Sequence, residues 1–162
     1  MIISAAYRLE YSTKENVRYV WVDEEIVCPV CDCTALIKKG WRKRKLILID
    51  EEKIILKVRR VRCKKCGKIH HVLPDIIVPY KRHCLETVEK IVQGNENEVF
   101  CEESEVNRIK SWWRKMLLHI AMLEATIKSL LPNPPESRLR KAVRILANAH
   151  RWPGTRTAWD AG

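Results

Sequence analysis

Cys28-Pro-Val-Cys31 and Cys63-Lys-Lys-Cys66 are two Cys-x-x-Cys pairs separated by 31 residues. Four thiolates suit a tetrahedral zinc ion, and the two-residue gap within each pair lets backbone N–H groups turn toward the sulfurs and offset their charge. Zn2+ on Cys28, Cys31, Cys63 and Cys66 is therefore expected. Gly67 follows the second pair, where a knuckle turn takes a positive φ. Asp32 holds that place after the first pair, and Asp tolerates the left-handed region better than most residues. Cys33 then falls on the chain leaving the knuckle, either as a spare side chain or as an exchange partner for Cys31. His70 and His71 lie beyond the second pair. Four cysteines already complete a tetrahedron, so the two histidines read as hairpin-edge or phosphate-facing residues.

The second chemistry is cationic. Residues 34–82 hold 16 Lys and Arg against 4 Asp and Glu, while residues 1–33 are net −3 and residues 83–162 net +2, so one segment carries the whole +11 excess. Lys38, Lys39, Arg42, Lys43, Arg44, Lys45, Arg59, Arg60, Arg62, Lys64 and Lys65 fall within it. A concentrated basic field attracts polyanions, and this density of Arg and Lys suits phosphate backbones. Trp41 among them can stack on a base or pack on a small core.

These residues need elements to hold them. "VRYVWVDEEIV" at 17–27 predicts one or two short strands leading to the first knuckle. "TALIKKGWRKRKLILIDEEKIILKVRRVRC" predicts a β-hairpin with its tip at Asp50-Glu51-Glu52, its alternating side chains charging both faces. "HHVLPDIIVPYKR", punctuated by Pro74 and Pro79, reads as an extended connector.

From Cys84 the periodicity turns helical. Leu85, Val88, Ile91 and Val92 share one face and Gly94 caps the segment. A long helix from about Glu102 to about Leu131 places Val106, Ile109, Trp113, Met116, Ile120, Leu123, Ile127 and Leu130 on a heptad seam. The seam packs within its own chain or forms a homodimer, and the bulk of Trp113 favours the former. Pro132 ends this helix, and Asn133, Pro134 and Glu136 start another that runs to about Arg151 with Leu139, Ala142, Val143, Leu146 and Ala149 on one side. Cys84 and Cys101 read as small apolar residues.

The short helix, the Gly-containing turn and the long helix have the layout of a helix-turn-helix unit. Glu103, Ser104, Asn107, Arg108 and Ser111 then face outward, with Asn107 and Arg108 able to contact bases. The acidic first turn, Glu102, Glu103 and Glu105, favours the helix dipole but repels phosphate.

"CPVC", "GWRKRKLI", "RRVRCKKCGKIHHVLP", "VPYKR" and "CEESEVNRIKSWW" resemble an uncharacterised zinc-ribbon family of Firmicutes, itself similar to the N-terminal zinc-ribbon and helix-turn-helix region of insertion-sequence transposases. The resemblance spans about residues 27–118. It implies DNA binding, with Cys28, Cys31, Cys63 and Cys66 as zinc ligands. Transposases of that kind carry a large nuclease domain with spaced carboxylates; here about 50 residues follow Trp113, holding only Glu124, Glu136 and Asp160. No catalysis is expected.

The expected architecture is α+β: a zinc ribbon with N-terminal strands over 1–82, a helix-turn-helix-like region over 83–118, and a helical hairpin and tail over 119–162. No apolar run of about 20 residues and no export signal is present, so a cytoplasmic protein without membrane association is expected. The expected function is non-catalytic, zinc-dependent DNA binding, with a homodimer or a larger transposase-related protein as a further partner. RNA binding, or adaptor function through the heptad helix, are the alternatives.

Overall fold

The computed structural model describes residues 1–127 and 138–153 and is a mixed α+β fold. Six strands, β1 (Ile2–Ser4), β2 (Tyr7–Ser12), β3 (Val17–Val22), β4 (Leu36–Ile47), β5 (Lys53–Cys63) and β6 (Ile69–Pro74), form one sheet. Among the described residues three helices follow, α1 (Leu85–Gln93), α2 (Glu103–Ile127) and α3 (Arg138–Asn148), with a 3-10 turn at Glu96–Glu98.

β5 organises the sheet. One of its edges pairs antiparallel with β4 along the whole hairpin; the other pairs parallel with β3 at Leu56 and Lys57 and antiparallel with β6 from Arg59 to Arg62. The hairpin and its acidic tip stand where the alternation predicts them: Glu51 takes a φ of 66°, and the Leu48 amide donates to the Glu52 carbonyl at 2.9 Å. β3 accounts for the strand expected before the first knuckle, although 23–35 then runs without regular structure. The segment expected as an extended connector is a full strand over its first part. β6 pairs with β5 and, in parallel, with β1. Pro74, which donates no N–H, is tolerated because it ends the strand.

β4 carries a bulge. Lys38 opposes Val61 and Trp41 opposes Arg59, so three steps on β4 match two on β5, and Gly40 takes the extra residue at a φ of 85°. The bulge inverts the facing of β4 relative to its own sequence. Lys38 shares a face with Trp41, and Arg42 and Arg44 lie on the other.

Each face has its own core. Ile54, Leu56 and Val58 of β5, with Leu46, Ile3 and Leu73, are buried under Leu85, Val88, Ile91, Val106, Ile109, Trp113 and Met116 of the helices. The opposite face buries Ile2, Val61 and Val72, with Val22, Ile26 and Leu36 packed against them. One cluster thus runs from strands to helices across the boundary expected near residue 82.

The helices follow their amphipathic patterns. Gly94 (φ 88°) closes α1 with two hydrogen bonds, its own amide to Ile91 and the Asn95 amide to the Lys90 carbonyl. Val106, Ile109, Trp113, Met116 and Ile120 of α2 are buried within this chain, so the described part of the heptad seam packs intramolecularly. On α3 the buried face is Leu139, Ala142, Val143, Leu146 and Ala147. Ala149 is exposed instead, because the helix ends at Asn148 and His150 turns to a φ of 54°. Pro132, Asn133, Pro134 and Glu136, and the side chains of Leu123, Ile127 and Leu130, lie outside the described residues.

Candidate metal centre and basic faces

The two cysteine pairs arrive from different places, one on the loop after β3 and one at the junction of β5 and β6, and meet as a single cluster of Cys28, Cys31, Cys63 and Cys66. Sγ of Cys28 lies 3.6 Å from that of Cys66, and Sγ of Cys31 lies 3.5 Å from that of Cys63. Four sulfurs about 2.3 Å from a tetrahedral ion stand about 3.8 Å apart. The cluster therefore has the size and donor set of a four-thiolate metal site.

The knuckles are built alike. The Asp32 amide donates to the Cys28 carbonyl and the Cys28 amide to the Cys33 carbonyl; the Gly67 amide donates to the Cys63 carbonyl and the Cys63 amide to the Lys68 carbonyl. Asp32 (φ 54°) and Gly67 (φ 72°) occupy matching left-handed positions, as the sequence predicts. Cys33 is thus the counterpart of Lys68, and its backbone carbonyl closes the turn while its thiol lies outside the cluster.

The amide of Cys66, assisted by the Cys31 thiol and the Lys65 amide, holds the Cys63 thiol down at about 6 against the opposing effect of burial. Desolvation pushes Cys31 up to about 12. Thiols packed this closely share protons, and a divalent ion displaces them.

His70 is buried on β6, and its Nε2 lies 3.3 Å from Sγ of Cys28. It supports a cysteine from outside the four-sulfur cluster, the place of a residue that orients a ligand and tunes its charge. His71, the next residue, faces the other way.

The basic residues divide between the two faces of the hairpin. Arg60 and Arg62 on β5, with Arg42 and Arg44 opposite Val58 and Leu56, share the face of the sheet that the helices pack on; His71 joins them as the partner of Arg60. Burial, then Arg42, disfavours the charge on Arg44. Burial, then Arg42, Arg44 and Arg60, lowers the pKa of His71. Lys38, Lys43, Lys45 and Arg59 lie on the opposite face. Lys39, Lys64 and Lys65 are exposed at the bulge and the second knuckle. Among the described residues, none of these basic side chains has a carboxylate within ion-pair distance, whereas Lys57 pairs with Glu15 and Arg18 with Glu52.

The lysine face also holds an aromatic group. Trp41 meets Tyr19 and Trp21 edge-on at 5.0 and 5.1 Å, and the Arg59 guanidinium covers Trp41 at 3.7 Å. Trp41 therefore packs within the protein, one of its two expected roles. Sequence reasoning misses Tyr19 and Trp21. Their spacing of two, which sets both on one face of a strand, is the signal that marks them.

On α2, Glu103, Ser104, Asn107, Arg108 and Ser111 are exposed, and Val106, Ile109, Trp113 and Met116 are buried, the orientation the seam predicts. Arg108 is partly committed, since it reaches Oε1 of Glu105 at 3.1 Å.

Residues 28–112 match the family model described as "Domain of unknown function (DUF6431)", just over half of the 162-residue chain. The chain belongs to this family. The DUF6431 match starts at Cys28 itself and takes in both cysteine pairs, the hairpin, α1 and the first part of α2. Strands β1 to β3, which supply Tyr19 and Trp21, precede it, and α3 follows it. No curated protein and no solved structure matches the chain. Among the described residues no helix is long and apolar enough to cross a membrane.

Proposed function

We propose that this chain is a zinc-dependent, non-catalytic DNA-binding protein whose β4–β5 hairpin grips phosphates. The cysteine cluster, as a zinc ribbon, pins the open end of the hairpin. Arg42, Arg44, Arg60 and Arg62 supply phosphate contacts, and the exposed row of α2, Asn107 and Arg108 included, lies against the duplex in the manner of a helix-turn-helix unit. A cytoplasmic protein related to the N-terminal regions of transposases fits this reading.

One observation carries it: arginines crowded on one face with His71 and without a carboxylate partner among the described residues. Like charges held together repel unless an anion sits among them, and guanidinium forks match phosphate oxygens. Tyr80 lies close enough to Arg44, and Arg108 to Lys81, to act on their charges, which extends the patch toward α2.

The test is the salt dependence of binding to duplex DNA, with folded RNA as competitor. The expected slope of log K against log salt is steep, and changing the four arginines to Ala flattens it by about 0.9 for every phosphate that an arginine no longer neutralises. A shallow slope that the variant leaves unchanged overturns the reading, and stronger competition by RNA reassigns the ligand.

A protein partner is the second reading. Leu118 and Met122, four apart on α2, stay 69% and 82% exposed on the side away from the packed seam. An apolar pair of this kind suits contact with a second copy or a larger protein. Sedimentation of the wild type against Leu118→Lys/Met122→Lys tests it: self-association that survives the double change overturns a dimer through this surface.

A further inference from the structure

A second group of metal-ligating side chains lies at the joint between strands and helices. His83 belongs to the connector, hydrogen-bonded there to the end of β4: the Ile47 amide donates to the Arg82 carbonyl and the Cys84 amide to that of Ile47. Cys101 and Glu105 flank the start of α2, where the amides of Glu105 and Val106 both donate to the Glu102 carbonyl. Cys101 thus precedes the helix cap and Glu105 stands one turn later, on the same side.

The three donors converge. Nε2 of His83 is 2.5 Å from Oε2 of Glu105, Sγ of Cys101 is 3.8 Å from Nε2 of His83, and Sγ of Cys101 is 4.0 Å from Oε2 of Glu105. Tetrahedral zinc with one sulfur, one nitrogen and one oxygen ligand sets these pairs about 3.4 to 3.6 Å apart. The sulfur distances lie within about half an ångström of that range, and the nitrogen–oxygen pair opens by about an ångström on exchanging its hydrogen bond for an ion.

Two further features fit a cation. Arg108 holds the other carboxylate oxygen, Oε1, and leaves Oε2 to point at His83. The His83 ring is buried, and its Nδ1 has no hydrogen-bond partner among the described residues. The bond to the Glu105 carboxylate needs a proton on Nε2 and leaves Nδ1 without a partner, so the pair alone is a poor account of an imidazole buried here.

We propose that His83, Cys101 and Glu105 bind a second divalent transition-metal ion of the zinc class, through one nitrogen, one thiolate and one carboxylate oxygen. Binding expels the Cys101 thiol proton and shifts the His83 proton from Nε2 to Nδ1, which frees Nε2 for the ion and keeps the ring neutral. Thiolate and carboxylate together neutralise the ion, and solvent or an outside donor completes its coordination. The ion ties the first turn of α2 to the connector beside the hairpin. Where the four-cysteine site fixes the open end of the hairpin, this one fixes the helix relative to the sheet.

The experiment is metal content and cobalt spectroscopy on the full chain. Wild-type protein equilibrated with zinc is expected to hold two ions per chain. Cys101→Ser and, separately, His83→Gln are expected to reduce this to one and to leave a four-thiolate cobalt spectrum, and Cys33→Ser to keep two. Glu105→Gln supplies a third variant should either of the others fail to fold, and is expected to weaken the second ion by about 10-fold or more. One ion per wild-type chain at micromolar free zinc, or two ions retained in both Cys101→Ser and His83→Gln, overturns the proposal. None of these readouts depends on DNA, so loss of DNA binding and loss of this site are separable.

Discussion

The Arg59 guanidinium lies 3.7 Å over the ring of Trp41, in a cluster that Tyr19 and Trp21 complete from a strand 20 and more residues earlier. The cation covers the aromatic face that a nucleobase would use, and edge-on rings hold Trp41 from the side. Burial makes the charge on Arg59 less favourable, and the ring's negative face offsets part of that cost. Trp41→Ala removes both contacts and is expected to lower stability by about 2 kcal/mol. Arg59→Met, which keeps most of the bulk over the ring, is expected to cost about 1 kcal/mol or less. Urea unfolding of the two variants checks the order, and equal losses would place the effect in the charge rather than the ring.

The four-cysteine cluster makes a sharper prediction about Cys33. Its carbonyl accepts the Cys28 amide, as the Lys68 carbonyl accepts the Cys63 amide, and both are backbone roles that any residue performs. Cys33→Ser is therefore expected to retain the metal of the four-sulfur site and its thermal unfolding midpoint within a few degrees. Cys63→Ser is expected to lose that metal and most of the hairpin's ordered packing, and chelation of the wild type should act in the same direction. Metal analysis alongside thermal unfolding checks all three. Retention of the metal by Cys63→Ser with no change of ligand would remove the four-thiolate assignment.

The knuckles and the hairpin were legible because their causes are local: cysteine spacing, a left-handed position after each pair, and alternation around an acidic tip. The pattern of α2 was legible for the same reason, since a seam every three or four residues needs no partner to be seen. What escaped depends on distant pairing. Ile2–Ser4 becomes a strand only because Val72–Pro74 lies beside it, and the Pro-punctuated segment becomes a strand only because it completes β5. The side on which Lys38 lies was hidden by the bulge. By alternation alone Lys38, Arg42 and Arg44 share a face; the extra residue at Gly40 sends Lys38 to the other. The grouping of Cys101 with His83 was hidden too, because they stand 18 positions apart in the chain with a whole helix between them.

Lys81 carries a pH dependence. Burial, reinforced by Arg108, lowers its pKa to about 8, although its ammonium sits 4.3 Å from the centre of the Trp112 ring. The unfolded chain holds this proton until about 10.4. Between these values the unfolded state binds more protons, so stability rises with pH. Below about 8 the strain of the buried charge is fully present, and above about 10.4 it is gone. Lys81→Met is therefore expected to be more stable than wild type at pH 7, with the gap closing from pH 8 upward. Unfolding both proteins at pH 7, 9 and 10 cancels the titration of every other group, and a gap that widens with pH would reverse the assignment.

Asn148, the last residue of α3, treats β1 as a further strand would. Its Oδ1 accepts the Ile3 amide at 2.7 Å and its Nδ2 donates to the Ile3 carbonyl at 3.0 Å. β1 has β6 on one edge and these two bonds on the other, and Ile3 itself is buried. An edge strand of three residues has too few ladder bonds to hold alone, so a side-chain amide with both a donor and an acceptor does what neither a carboxylate nor an apolar residue can. Asn148→Ala leaves both backbone groups of Ile3 without these partners and is expected to cost about 2 kcal/mol. Asn148→Asp keeps one acceptor, loses the donor and sets a negative charge against the Ile3 carbonyl, so it should recover little of that loss. Hydrogen exchange decides whether the effect is local. The Ile3 amide should lose protection in Asn148→Ala while the Val58 amide keeps its own, and equal loss at the two sites would mean that Asn148 supports the fold globally rather than closing this edge.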